Sequence, residues 1–452
     1  MAGITRRPVL AAFAVLFPFL AVILFLVAAP AGAARSATIV PCNTPSLIGA
    51  ISTAVTAGGP QTITLSAGCT YTLTTINNGT QVDTNGLPLI THTVNLTING
   101  SGATIVRDPG APRFRLFQVG TGALLTLSNL TLAGGYTPDG VSPSNGNAGN
   151  GGAILNGAGV VTVTHSLIRG NSTGNGGSCC SVITAGNGGS GGGIYNDSGT
   201  VYITDSTLSG NSAGAGGSKG SGDGGAGGGL ADNTGTVNVT NSTLSGNLTG
   251  SGNFSGTLKA AGFGGGISVN TGGKLNVTNS TIAGNSIGDN FSSIAAAIGL
   301  GGGIFAFSGQ LTVINTTIAN NTLGSHGSGS GGGYAGGATA VFTNTLLAGN
   351  AVNNCQGTLA AGSTHNMSDD NHCDASATQK TAAQINLGPL QNNGGPTPTM
   401  ALRFPSAAID AGSDAGCPAT DQRGLSRPSS LHCDIGAFEF QFALLFLPLV
   451  QR

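Results

Sequence analysis

Carboxylates are scarce in this chain, so each one is a candidate for chemistry. Between Val141 and Asn350 the acids are Asp197, Asp205, Asp223, Asp232 and Asp289. Asp197 follows GGGIYN and Asp232 ends GGGLAD, two copies of one phrase, which places them at nearby turn positions one repeat apart. Two carboxylates facing one bond, roughly 5 to 10 Å apart, are what glycoside hydrolysis needs. The pair is therefore the candidate acid–base or calcium site of a carbohydrate-active enzyme, against the plainer reading of solvated turn residues. A denser cluster, Asp369, Asp370 and Asp374 beside His365 and His372, has the spacing of a calcium loop. Its plain alternative is a polar loop tied by a disulfide. No other cofactor is suggested.

Strings matching G-x-S-x-G occur, among them those around Ser172, Ser212 and Ser286. A nucleophile elbow runs from a strand through a sharp turn into a helix. Each of these runs from a strand-like phrase into a glycine-rich stretch, so they are read as repeats rather than nucleophiles. Asp421, Arg423, Arg427, Asp434 and Glu439 concentrate charge near the C-terminus and read as an ion-pair network. The rest of the chain is nearly neutral. Charged residues make up 7% and the net charge is −1, where roughly 25% charged is usual. No basic stripe exists, so nucleic acid is not an expected partner.

These residues need a scaffold, and the repeats supply one. A phrase ending in Asn recurs: VTVTHSLIRGN, VYITDSTLSGN, VNVTNSTLSGN, LNVTNSTIAGN, LTVINTTIANN and AVFTNTLLAGN. The final residues are Asn171, Asn211, Asn247, Asn285, Asn321 and Asn350, spaced 40, 36, 38, 36 and 29 residues apart. Before most copies stands a GGGI-like phrase, and between copies lie variable glycine-rich inserts; Gly numbers 80 of 452. The phrases alternate apolar and polar residues, the period of a strand. Short strands repeating in this way make coils of a parallel β-helix. Stacking forms two columns. One holds Asn129, His165, Asp205, Asn241, Asn279, Asn315 and Asn344; the other holds the six phrase-final Asn residues. Asn suits a sharp corner, because it tolerates left-handed backbone and pairs amide to amide.

The expected fold is all-β, a right-handed parallel β-helix. A helix over about Ser46–Ala57, with Leu47, Ile51 and Ala54 on one face, caps its N-terminal end. An irregular, disulfide-bearing module closes the other. The expected divisions are 1–33 export segment, 34–100 cap and first coils, 101–355 repeats, 356–440 C-terminal module and 441–452 apolar tail.

Arg6 and Arg7, the apolar run Val9–Ala29 and Ala31-Gly32-Ala33 read as an export signal. Two outcomes stand for it, cleavage or retention as an N-terminal anchor. Eight Cys in an exported chain read as disulfides. Chain proximity pairs Cys42 with Cys69, Cys355 with Cys373 and Cys417 with Cys433. Cys179 and Cys180 pair with each other or stay free.

The segment from Cys42 to Ala54, with Ser46-Leu47, Ala50-Ile51 and Ala54, resembles the CSLREA motif of exported bacterial β-helix proteins. Ile48-Gly49 stands where that motif has Arg-Glu. Leu387–Phe440, with GPLQNNGGPTPT, AIDAG, DQRG, RP and CDIGAFE, resembles the choice-of-anchor Q domain. The repeats resemble those of polymorphic outer-membrane proteins. The resemblance implies surface localisation and no particular reaction. The expected function is thus an exported or cell-surface protein with a structural, adhesive or glycan-recognition role. Its partners would be polysaccharide or cell-surface components, and only the signal or anchor segments would meet a membrane. A polysaccharide lyase or glycoside hydrolase on the same scaffold is the alternative.

Overall fold

The computed structural model describes residues 38–442, apart from 143–145, 179–184, 219–221, 253–260, 290–299, 325–328 and 374–376. The export segment, Cys179, Cys180, Asp374 and the tail beyond Phe442 lie outside the described residues. No helix among the described residues is long and apolar enough to cross a membrane.

The chain folds as an all-β, right-handed parallel β-helix. Each central coil contributes three short strands, for example Ile194–Asn196, Thr200–Thr204 and Thr207–Ser209. The first joins an 8-stranded sheet and the other two a 19-stranded one. Pairing between coils is parallel and stays in register whatever the insert length: Val161 meets Val201, which meets Val237, which meets Leu275. The alternation of the phrases points Val, Ile and Leu inward, where they form one continuous apolar core.

The two Asn columns do different work. Asn129, His165, Asp205, Asn241, Asn279, Asn315 and Asn344 adopt left-handed backbone, with φ between 43° and 51°. The phrase-final residues Asn171, Asn211, Asn247, Asn285 and Asn321 are fully buried. There, the amide Nδ2 of each donates to Oδ1 of the Asn in the next coil, at 2.8–3.0 Å. The same oxygen also accepts the backbone N–H of the preceding coil's Asn. The two properties expected of the corner Asn are thus divided between columns, save for one amide pair in the left-handed column, Asn344 Nδ2 to Asn315 Oδ1 at 3.2 Å. A third column, Ser166, Ser206, Ser242 and Ser280, escaped the sequence reading. Each of the last three accepts, through Oγ, the backbone N–H of the column member in the coil before.

The glycine-rich inserts leave the coil and return beside it. Their glycines hydrogen-bond from leg to leg: Gly189 N–H to Gly174 O, Gly214 to Gly189, Gly225 to Gly214, Gly250 to Gly225 and Gly262 to Gly250, at 2.8–3.0 Å. Contacts to one neighbouring leg recur every third residue: Gly186 and Gly189 face Gly146 and Gly149, and Gly222 and Gly225 face Gly186 and Gly189. That is the period of a polyproline-II helix.

The N-terminal helix spans Thr44–Ala57 and buries Leu47, Ile51 and Ala54. Asn43 caps it, accepting from Ser46 N at 2.9 Å. Disulfides join Cys42 to Cys69, Cys355 to Cys373 and Cys417 to Cys433, with Cα separations of 5.7, 4.9 and 6.5 Å. The stack does not end at Cys355, as the sequence reading had it. Asn366–Ser368 and Ala377–Gln379 add two further parallel strands, and Asn366 continues the hydroxyl column, its Oδ1 accepting from Thr345 N.

The C-terminal segment folds back along the side of the helix. Asn279 donates to Thr420 O, Asn315 to Asp434 O and Asn344 to Ser413 O, at 2.6–3.2 Å. Thr243 donates to Pro398 O, and Thr281 to the fully buried Gln422. Inside the segment, Asp421, Arg423, Arg427, Asp434 and Glu439 are linked as a network. Arg423 pairs with Asp421 at 2.7 Å and lies over the Phe438 ring. Arg427 donates to Asp434 O and Gly436 O. Burial pushes the Asp434 carboxyl up to about 7.

Candidate functional site

The docked segment covers the coils from Asn241 to Asn344 and leaves the earlier ones open. At that boundary lies a groove of about 610 Å³. Its walls are the left-handed column, here Asn129, His165 and Asp205, and the docked Pro396 and Pro398. Thr131, Leu167, Thr207 and Ser209 line its floor, from strands next to that corner. The left-handed turn turns the corner side chains outward, so His165 and Asp205 face each other one coil apart. His165 Nε2 is 3.6 Å from Asp205 Oδ2. Ser166 is committed elsewhere: its Oγ donates to Thr164 O and accepts from Leu130 N. Among the described residues the groove therefore has one carboxylate, one imidazole and several hydroxyls. It can hold a polymer through hydrogen bonds, but it lacks the paired carboxylates that hydrolysis of a glycoside requires.

The sequence candidates lie away from this groove. Asp197 and Asp232 do not form a pair. Asp232 aligns with Asn196, not with Asp197. It points into the core while Asp197 stays at the surface, where Asn233 Nδ2 donates to it at 3.0 Å. A one-residue offset in a strand reverses the face. Asp232 instead ends a buried row, Asn156–Asn196–Asp232, with Asn196 donating to its Oδ1 at 2.6 Å. Its Oδ2 has no hydrogen-bond partner.

Burial pushes the Asp232 carboxyl from 3.8 to about 6, against the hydrogen bonds from Asn196 and Gly235 that favour its charged form. The protonated form is thus favoured in the native state. Its contribution to stability is complete below about pH 4 and is lost as pH rises through about 6. Asp232→Asn has no charge to bury. At pH 8 the variant is expected to exceed the wild type by about 3 kcal/mol, from two pH units at about 1.4 kcal/mol each. Below pH 4 the two should unfold alike. Urea unfolding at both pH values checks this, and a variant less stable at pH 8 would refute it.

Asp369 and Asp370 are occupied as ladder ends. Asp369 accepts from Asn354 Nδ2 and Gly349 N at 2.7 and 2.8 Å. Asp370 accepts from Asn354 N and His372 N at 2.6 and 3.0 Å. Their oxygens close the asparagine column at Asn354, and among the described residues, which leave out Asp374, no group of His, Cys, Asp and Glu suited to a metal occurs. Ser172, Ser212 and Ser286 lie in one column through parallel bridges, Ser212 and Ser286 with Leu248 between them, and among the described residues no helix follows them before the next coil. His365 meets Asp410, Asp414 and His432 in a second pocket at the seam with the docked segment. There the 2.8 Å hydrogen bond between Asp414 and His432 draws the imidazole up and the carboxyl down.

No protein-family model and no curated protein matches this chain. Among solved structures, the crystal structure of pectate lyase Pel9A aligns with 86% of this chain and 90% of its own, at 17% identity and a TM-score of 0.36.

Proposed function

We propose that this is an exported cell-surface protein whose β-helix is a recognition scaffold, and that the lateral groove holds an extended surface polymer without cleaving it. The groove's composition supports this reading: the hydroxyls of Thr131, Thr207, Ser209 and Ser245 and the amide of Asn129 line it, with Asp205 its one carboxylate among the described residues. The three disulfides and the export-like N-terminus support a location outside the cytoplasm. The resemblance of Leu387–Phe440 to the choice-of-anchor Q domain supports placement at the cell surface.

The test is to incubate the mature, oxidised protein with labelled polysaccharides and peptides, with and without calcium, and to follow binding and chain cleavage together. Saturable binding without cleavage, weakened at least tenfold by Thr207→Trp, is expected. Cleavage that disappears in Asp205→Asn or His165→Ala would make the groove an active site and end the recognition reading.

A further inference from the structure

Resting on that reading, we infer that the groove takes an extended, uncharged, proline-rich peptide. The covered and open coils share one pattern. In each, a left-handed corner residue is followed two positions later by an outward residue of the next strand. The covered pairs are Asn241/Thr243, Asn279/Thr281 and Asn315/Thr317. Each of these engages polypeptide. Thr397 Oγ1 donates to Asn241 O at 3.0 Å, and Thr243 Oγ1 to Pro398 O at 2.6 Å. Asn279 and Asn315 donate to main-chain carbonyls, and Thr317 Oγ1 accepts from Ala437 N at 3.0 Å. The open pairs are Asn129/Thr131, His165/Leu167 and Asp205/Thr207. They continue the same columns in register, since Thr131 pairs with Leu167, Leu167 with Thr207 and Thr207 with Thr243.

The interface with the chain's own Pro396-Thr397-Pro398 therefore runs on, uncovered, into the groove. Thr131 and Thr207 are two strands apart, about 9.6 Å at the usual spacing of about 4.8 Å. A polyproline-II chain repeats every three residues, about 9.3 Å. Such a peptide lying along the column presents successive equivalent carbonyls to the two Thr hydroxyls. The partly exposed Leu167 between them offers a surface for a proline ring. Proline-rich chains adopt this form with little loss of entropy, which suits a shallow site.

The experiment titrates the full mature protein into a fluorescein-labelled Pro-Thr octapeptide and reads anisotropy. A Gly-Ser octapeptide and a labelled neutral oligosaccharide run in parallel. Saturable binding of the Pro-Thr peptide is expected, at least tenfold tighter than Gly-Ser. Thr131→Val and Thr207→Val, which keep the shape and remove the hydroxyl, should each weaken it at least fivefold, while Asn276→Ala on the open sheet leaves it unchanged. Equal binding of the two peptides, or indifference to both Val substitutions, overturns the inference. Oligosaccharide binding blocked by Thr207→Trp, with no peptide bound, overturns it while the recognition reading stands. No binding of any probe, extended to the full polysaccharide panel, overturns both.

Discussion

Gly214→Ala is expected to destabilise the protein by about 3 kcal/mol or more, although it adds one methyl group to a surface insert. A Cβ at this position falls on the carbonyl oxygen of Gly174. The backbone there cannot yield without breaking the bonds from Gly214 N to Gly189 O and from Gly225 N to Gly214 O. Overpacking of a tight contact costs about 1 to 3 kcal/mol, and each buried backbone group left without a partner adds about 1 to 3. Gly49→Ala is the control. Gly49 lies within the helix Thr44–Ala57 with nothing near a new Cβ, so the substitution should stabilise by up to about 1 kcal/mol. Thermal unfolding of the two variants decides the matter. Hydrogen exchange should show protection lost at Gly189, Gly214 and Gly225 first. A Gly214→Ala protein as stable as the wild type would mean that the insert legs are not packed as described.

Asn247→Leu carries the second large effect. Asn247 is fully buried at the middle of the amide column. Its Oδ1 accepts from Asn211 N and Asn211 Nδ2, and its Nδ2 donates to Leu208 O and Asn285 Oδ1. Leucine fills a similar volume but removes four buried hydrogen bonds; Asn211 Nδ2 keeps its bond to Ile168 O and Asn285 Oδ1 its bond from the residue-247 backbone N–H. At about 1 kcal/mol or more for each, the loss is expected to reach about 4 kcal/mol. Asn247→Asp keeps the acceptor and should cost less at pH 4, where the acid can donate, than at pH 8. Melting temperatures at the two pH values measure both effects. Equal tolerance of Leu and Asn would show that packing alone sustains the column.

The coil repeat was legible because one residue, the phrase-final Asn, keeps its offset while the inserts around it vary. Period-two alternation identified the inward Val, Ile and Leu for the same reason. The division of labour between the two Asn columns was not legible, since Asn suits both left-handed backbone and amide pairing. The neighbouring glycines Gly170, Gly210 and Gly246 carry the positive φ beside the buried ladder and leave its Asn free to pair. The three-residue period of the inserts was hidden by their own composition, because glycine occupies the positions between as well. Asp232 was misplaced by one residue, which in a strand is the difference between surface and core. The groove could not be read at all. Its wall depends on Thr397 reaching Asn241, 156 residues away, and no local pattern announces where a folded-back segment stops.

The positions of two disulfides bear on how this molecule comes apart. In a solenoid each coil contacts only its neighbours, so unravelling starts where a coil has one neighbour instead of two. Cys42–Cys69 ties the capping helix to the first coils, and Cys355–Cys373 ties the last ones. Each covalent link sits at a place where fraying would begin. With both closed, fraying is checked one strand in from each end: only Thr38–Val40 precedes Cys42, and only Ala377–Gln379 extends the stack beyond Cys373. Under reducing conditions the N-terminal coils become a zipper that can be drawn one rung at a time, while the docked segment still clasps the coils from Asn241 to Asn344 together.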